Sequence, residues 1–414
     1  MDELSRDFRH AARALRRDRR FTILVVLTLA IGIGANAGVF SIFHAVLLTP
    51  PPYPDSERLV VLWSEIPSAG VQDGTSALGN VEDWRERSDG LESLAAWDPI
   101  TLTMTGPDVP DRLSAARVTA SFFDVLRVLP EIGRAFTESE AARANRLVVA
   151  SHAFAIDRYG STEAALGRSI TLDGQSFEIV GVMPAGFAYP DADTRLWLPW
   201  SHFGSGGAEA TARGAGPWRV LGRLRDDVSL EAARADLRAL AAELEGEHAA
   251  NAGLGIRAVP LHEQQIGASR RAALWTSYGA VGLILLIACA NAAHLLLIRG
   301  VERSADRAIR TALGASQLSL VRQALAEHLI LALLAGVVGV VVAAWSIALL
   351  TWLAPPNLFI ADVRVGPVTV AYAAALSSLI GIAFGIAPAF RGSRSAGRLV
   401  GARVIAPRAG PSTR

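Results

Sequence analysis

Four long stretches without a single Asp, Glu or Arg divide this chain: residues 21–48, 272–298, 329–353 and 366–390. Each exceeds the ~20 residues that an α-helix needs to cross a hydrocarbon core. Backbone in lipid must satisfy its own hydrogen bonds, so such stretches predict four transmembrane helices. The charges between them set the direction. Residues 1–20, 299–328 and 391–414 hold 18 arginines against 7 acids, a net of +11. Residues 49–271 and 354–365 hold 22 arginines against 32 acids, a net of −10, so the +1 of the whole chain hides two opposite sets. Basic loops mark the cytoplasmic side, which predicts both ends and 299–328 inside, with 49–271 and the loop 354–365 outside.

Every basic residue counted here is arginine, because the chain contains no lysine. A P-loop needs its lysine at the β- and γ-phosphates, so these residues are not expected to bind and hydrolyse ATP themselves. Schiff-base chemistry on pyridoxal phosphate is excluded the same way. Cys289 is the single cysteine and lies inside the second apolar run, which excludes an intrachain disulfide and a cysteine zinc cluster. The reading is therefore of a protein that is not an enzyme and carries no cofactor or metal. The basic segments adjoin membrane and suit anionic lipid rather than nucleic acid. The N-terminus, with seven arginines in residues 1–20 and the small-residue run Ala35-Asn36-Ala37, imitates a cleavable secretory signal. The apolar run continues to residue 48, so an uncleaved span is expected.

Residues 1–20 place Leu4, Phe8, Ala11 and Leu15 at helical spacing among arginines. An amphipathic helix in the interface plane fits, and so does a basic tail that only fixes topology. Within the first span, Gly32, Gly34 and Gly38 imitate a nucleotide-binding pattern, but no strand precedes them. Small residues in a span let helices approach closely, so these are read as helix-packing positions. Pro50, Pro51, Pro52 and Pro54 then end the helix.

The outer domain, 49–271, is large enough for its own core. Strand-like runs fall at 58–63, 115–119, 146–151, 169–172, 177–183, 196–200 and 218–224. The Asp173-Gly174 pair signals a hairpin. Helical patterns fall at 80–87, 121–126, 161–166 and 229–248, the last opening on Ser229 as an N-cap. Strands and helices that do not alternate regularly predict an α+β domain. The Gly-rich stretch 204–216 is expected to be a mobile loop or linker, 299–328 a cytoplasmic helical segment, and 391–414 a disordered tail.

Residues 291–336 read NAAHLLLIRGVERSADRAIRTALGASQLSLVRQALAEHLILALLAG. This resembles the FtsX-like permease domain of the MacB-type ABC transporter family: Ala312-Leu313-Gly314-Ala315, Arg322-Gln323 and Glu327 match its pattern in place. Leu147-Val148-Val149, Gly167-Arg168, 170–174 and 179–187 resemble the family's periplasmic core domain, and 27–36 with Pro52-Tyr53-Pro54-Asp55 are most similar to one half of its duplicated orphan permease branch. The resemblance covers nearly the whole chain in matching order. It implies a permease subunit of the bacterial inner membrane, with one span, a periplasmic α+β domain and three further spans. It further implies a partner P-loop ATPase on the cytoplasmic side, contacted through Asp306, Ala308, Ile309, Arg310, Leu313, Gly314 and Ala315, and a second permease half or a second copy. Two departures stand out. The family carries Glu followed by an apolar residue where this chain has Asp306-Arg307, which puts charge on the docking face, and members of the duplicated branch carry two halves where this sequence carries one.

Polar groups within spans are functional candidates by default, and here they are Asn36, His44, Asn291 and His294. Asn36 and Asn291 are the obvious pair. At ~1.5 Å per residue, however, Asn36 lies roughly 24 Å from the inner end of its run and Asn291 about 10 Å from its own, so they are not expected to meet. His294 and His328 both fall near the inner face. Interhelical hydrogen bonding is the favoured role, with Asn291 a packing position. A hydrolase is the competing class. Ser151-His152 and Ser201-His202 are only sequence neighbours, and no Gly-x-Ser-x-Gly elbow or His-Glu-x-x-His helix occurs. The function expected is export or release of a hydrophobic, peptide or lipid-linked cargo by ATPase-driven motion. The alternative is an orphan non-transporting regulator or scaffold, whose periplasmic domain senses or activates an envelope protein without an ATPase.

Overall fold

The computed structural model of the chain describes residues 13, 15, 17–105, 110–143, 145–201, 206–302, 317–353 and 363–403. It divides into two compact units, Pro50–Gly267 and a helical unit formed by Met1–Thr49 with Ala268–Arg414. The helical unit begins with α1 (Arg19–Phe43), which passes into a π-helical turn at His44–Leu48. The prolines from Pro50 onward lack the N–H that would continue it.

The intervening domain is built on one sheet of eleven strands. They are β1 (Leu59–Ile66), β2 (Val71–Gly74), β3 (Leu91–Thr105), β4 (Asp111–Val118), β5 (Ile132–Gly133), β6 (Leu147–Ala150), β7 (Ser169–Leu172), β8 (Gln175–Val182), β9 (Leu196–Pro199), β10 (Arg219–Leu224) and β11 (Gly255–Pro260). The order is β11-β1-β10-β3-β4-β9-β6-β8-β5, with β2 on β1, and β7 on β3 and β8. Among the described residues only β4–β9 and β6–β8 are parallel. The fifteen-residue β3 joins the two halves of the sheet, pairing with β10 through Trp97 and with β4 from Trp97 onward. At the β7–β8 turn Asp173 and Gly174 both take positive φ, 46° and 79°, as a tight two-residue hairpin turn requires.

Alternation along β1 sends Val60 and Leu62 to one face and Leu59, Val61 and Trp63 to the other. The first face is covered by α2 (Leu78–Arg87) and α3 (Leu230–Glu247). Helix α3 starts at Ser229, whose hydroxyl accepts from the Ala232 N–H at 3.2 Å, and buries Ala233, Leu237, Leu240, Ala241 and Leu244 at helical spacing. The second face packs Phe122, Phe123 and Trp197. A third cluster, with Phe154, Ile170 and Phe177, fills the far half. Trp84, Trp197 and Trp218 are core residues.

The stretch expected to be a mobile loop at 204–216 is different where it is described. Gly206–Thr211 is helical, and a Cβ on Gly216 would stand 2.6 Å from the Ala77 Cα. These glycines permit close backbone contact rather than looseness. Ser151, in one of the hydrolase-like pairs, caps the helix His152–Tyr159 by accepting from the Phe154 N–H at 3.1 Å.

A capping box closes the helix Glu138–Ala142, where Glu140 accepts from the Thr137 N–H at 2.9 Å and from Arg134 at 2.7 Å. Chiefly through the Arg134 guanidinium, the Glu140 carboxyl is held down to about 2. A depressed carboxylate contributes stability that is present above its unfolded pKa and is lost as pH falls toward the folded one. Glu140→Gln is therefore expected to flatten the loss of domain stability between about pH 5 and pH 2 while leaving its shape at pH 7 unchanged. Urea titrations of the protein at pH 7 and pH 3 check this, and an unchanged pH slope counts against it.

The remaining membrane-unit helices are α4 (Ala268–Glu302), α5 (Gln317–Leu353) and α6 (Pro367–Arg403). With α1 they supply four segments long and apolar enough to cross a membrane: Arg19–Leu48, Ser269–Val301, Val321–Leu349 and Pro367–Ile386. Helix α6 carries on to Arg403, whereas the sequence reading ends the span at 390 and expects a disordered tail beyond it. Elongating an existing helix is cheap compared with starting one, and no proline interrupts residues 389–406.

Candidate functional site: the helix bundle and its charged end

Helix α1 lies at the centre of the helical unit and packs against α4, α5 and α6. Its three glycines face different neighbours. A Cβ on Gly32 would meet the Ala288 Cβ of α4 at 3.0 Å. One on Gly34 would meet the Gly339 carbonyl oxygen of α5 at 2.8 Å, and one on Gly38 would reach Ala343 only at 3.9–4.0 Å. The α5–α6 contact is equally close, with a Cβ on Gly381 reaching the Leu329 Cα at 2.9 Å.

Asn36 is buried and donates to the Val281 carbonyl of α4 at 2.7 Å. Val281 precedes Asn291 by ten residues, or about 15 Å of helix, so Asn36 and Asn291 lie at different depths. Asn291 is not in the packed seam expected for it. It and His294 are on the exposed side of α4, and among the described residues neither has a hydrogen-bond partner. The reason is helical phase: Ala288, Ala292 and Arg299 fall on the buried side of α4, and positions 291 and 294 fall opposite. His44 sits in the π-turn with its ring 6.0 Å from Phe40. Nearby, Phe40 stacks on Tyr372 at 4.0 Å, the Tyr278 and Tyr372 hydroxyls are 2.9 Å apart, and Ser41 bonds Thr369 at 2.8 Å. Aromatic rings of this kind suit the level of the lipid headgroups.

The opposite end carries charge. Arg299 is 6% exposed, with Nη1 3.2 Å from Glu327 of α5, Nε 3.7 Å from Asp18 at the start of α1, and Cζ 4.3 Å above the Phe21 ring. The sequence reading counted Arg299 only toward topology. The available signal was positional: Arg299 is the first charge after the 27 uncharged residues 272–298, and Glu327 the last acid before the next run. The seven residues expected to contact an ATPase, Asp306, Ala308, Ile309, Arg310, Leu313, Gly314 and Ala315, lie outside the described residues.

A second charged centre missed by sequence reasoning is in the domain, where the chain arriving from α1 meets the sheet. Arg223 of β10 is fully buried and donates to the carbonyls of Val125 at 2.9 Å, Pro54 at 3.1 Å and Asp55 at 3.2 Å. Burial, with Arg127 and Arg58 alongside, pushes its guanidinium below the usual arginine range. Arg58 and Arg127 bridge Glu92, Asp226 and Asp55 around it.

Four helices of membrane-spanning length, with an α+β domain of more than 200 residues inserted after the first, define a multi-pass membrane protein of permease architecture. Residues 22–240 match the MacB-like periplasmic core domain, and residues 278–396 match the FtsX-like permease C-terminal domain. The chain belongs to the MacB/FtsX-like family of ABC transporter permeases. It is 25% identical over 285 residues to the uncharacterized ABC transporter permease YknZ of Bacillus subtilis, covering 67% of this chain and 66% of that one. It is 24% identical over 292 residues to the macrolide export ATP-binding/permease protein MacB of Chlorobaculum tepidum, covering 67% of this chain and 41% of the relative. The chain thus spans less than two thirds of the length of either relative. The periplasmic region of MacB from Actinobacillus actinomycetemcomitans is similar over 49% of this chain and 89% of that one, with a TM-score of 0.38 at 14% identity.

Proposed function

We propose that this chain is the permease subunit of a transporter in the bacterial inner membrane, with both termini cytoplasmic, and that it relays the motion of a separate ATPase to its periplasmic domain. The observation that carries this reading is the pair of family domains in one order, 22–240 then 278–396, in 414 residues without a lysine. Relatives named as ATP-binding/permease proteins are longer than the part matched here. ATP hydrolysis is assigned to a partner P-loop ATPase that docks on 303–316, so the chain itself is not an enzyme and uses no cofactor. Closure of the ATPase rocks packed helices and shifts the outer domain, which exports or releases a hydrophobic, peptide or lipid-linked cargo. Among the relatives, macrolide and pyoverdine export are the named activities.

A second permease unit, another copy or a homologous half, is part of the reading. The outer side of α4 exposes Leu283, Ile287 and Ile298 together with Asn291 and His294. Polar groups at membrane depth normally face protein rather than lipid, so a further helix is assigned to that side. The specific observation favouring the regulator reading is Asp306-Arg307, which places charge where the family docks.

The test is purification of the tagged protein from native membranes in mild detergent, with mass spectrometry of what accompanies it. A P-loop ATPase in near-equal amount is expected, and Asp306→Glu with Arg307→Ile is expected to raise its yield. Recovery of only the chain itself or of a periplasmic protein, with no response to the double substitution, overturns the transport reading in favour of the regulator.

A further inference from the structure

An arginine at the end of a spanning helix ordinarily extends its long stem outward and leaves its guanidinium in water or among headgroups. Arg299 does the reverse. Its side chain is 7% exposed and turns into the bundle, stacked over Phe21 and facing Glu327 and Asp18, at 3.2 Å and 3.7 Å. A charge that marks topology needs no partners, whereas a charge withdrawn from solvent requires opposite charge, which among the described residues Arg299 has as ion pairs rather than as hydrogen bonds. Here three helices supply the parts: α4 the cation, α5 one carboxylate, and the first turn of α1 the other carboxylate and the ring.

The placement along the chain gives this arrangement its consequence. Arg299 lies three residues before Glu302, the last described residue of α4, and Glu327 lies ten residues after Gln317, the first described residue of α5. The pair therefore ties together the two helices that carry 303–316. The Asp18 backbone is anchored in turn, since its carbonyl accepts the Thr22 hydroxyl at 2.9 Å and the Thr22 N–H at 3.1 Å, while its side chain is 45% exposed. A push delivered to 303–316 through two independent helix ends would splay them. Delivered through ends pinned to each other and to α1, it moves three helices together.

We infer that Arg299, held by Glu327 and Asp18, is the positioning residue that fixes the two ends of the 303–316 segment as one unit for docking and force transfer. The docking part of this inference rests on the ATPase reading above, while the pinning part does not, and two measurements separate them.

The first uses the full-length protein in lipid nanodiscs on a Cys289→Ser background, with spin labels at Val301→Cys and Ser319→Cys and the distance distribution read by pulsed electron resonance. Arg299→Gln is expected to broaden the distribution at least twofold. The reversed pair, Arg299→Glu with Glu327→Arg, made with Asp18→Asn so that the new carboxylate does not face another, is expected to narrow it again. An unchanged width in Arg299→Gln, or a width that the reversed pair leaves broad, overturns the pin. The second measurement is ATPase recovery by the same variants, with the thermal midpoint of each as the control for folding. A tenfold loss in Arg299→Gln, partly restored in Arg299→Lys and in the reversed pair at an unchanged midpoint, supports the docking role, and equal recovery in all variants overturns it. If the unmodified protein recovers no ATPase, the transport reading and the docking role fall together, and the distance measurement still decides the pin.

Discussion

Replacing Arg223 by leucine is expected to lower the unfolding midpoint of the periplasmic domain by about 6–12 °C. The residue is fully buried in β10, and its three donors end on the carbonyls of Pro54, Asp55 and Val125. The Asp55 carbonyl keeps a second donor, the Arg58 N–H at 3.0 Å, so the loss falls mainly on the other two. Leaving two buried acceptors without their charged donor, and a void where the guanidinium lay, costs about 3 kcal/mol. One effect opposes this: the guanidinium is desolvated and has Arg58 and Arg127 beside it, so its removal relieves some strain. That relief does not win, because exchanging a buried charge for an apolar side chain approaches neutrality only when its partners are exchanged as well. Arg223→Lys is expected to lie between, since one ammonium cannot aim at three carbonyls as a planar fork does. Six of the nine tryptophans lie in this domain, so intrinsic fluorescence on heating the whole protein in detergent follows its melting. A midpoint for Arg223→Leu within 2 °C of the unmodified protein would falsify the argument.

The same residue shows where the sequence stops being legible. Strand β10 was readable from Val220, Leu221 and Leu224, but period two cannot say that an arginine among them points inward to hold an incoming chain. That placement depends on Pro54 and Val125, distant in sequence and brought together by the sheet. Strand β3 escaped for a local reason. Asp98-Pro99 and the Ala95-Ala96 pair depress strand propensity, and only pairing with β10 and β4 on either side makes fifteen residues extended. The spans, by contrast, are written in the chain itself, because lipid rejects any charge in their course. Arg299 occupies the boundary between the two cases. Its position is visible as the end of an uncharged run, but its inward turn follows from Asp18, Phe21 and Glu327 arriving from two other helices.

Gly32, Gly34 and Gly38 look equivalent in sequence, and the structure predicts that they will not tolerate substitution equally. Gly34 marks the tightest of the three crossings. A Cβ there would lie 2.8 Å from both the Gly339 carbonyl oxygen and the Val342 Cβ, and a Cβ on the facing Gly339 would lie 3.2 Å from the Gly34 nitrogen. Side chains of Val342 and Ile33 obstruct as well, but backbone atoms stand in the way on both sides, so a rotamer change alone does not relieve it, and α1 must move away from α5. Membrane helices associate largely by close packing, since lipid offers apolar contact as readily as another helix does. Overpacking costs about 1–3 kcal/mol, and the upper half of that range applies where backbone is the obstacle. At Gly38 the nearest α5 atoms would be 3.9–4.0 Å from an added Cβ, which is ordinary contact. The two sites together provide their own reporter. Gly38→Cys with Ala343→Cys, on Cys289→Ser, would place two Cβ atoms 4.0 Å apart, within disulfide range. Mild oxidation in membranes is expected to cross-link α1 to α5 in this background, and adding Gly34→Val is expected to cut the yield about tenfold, the equivalent of roughly 1.4 kcal/mol at the crossing. Gly34→Ala should fall between, because its single Cβ already meets the Gly339 carbonyl. Full cross-linking in the Gly34→Val variant would mean that the α1–α5 crossing is not held by this contact, and the center of the bundle would then have to be sought at Gly32 and α4.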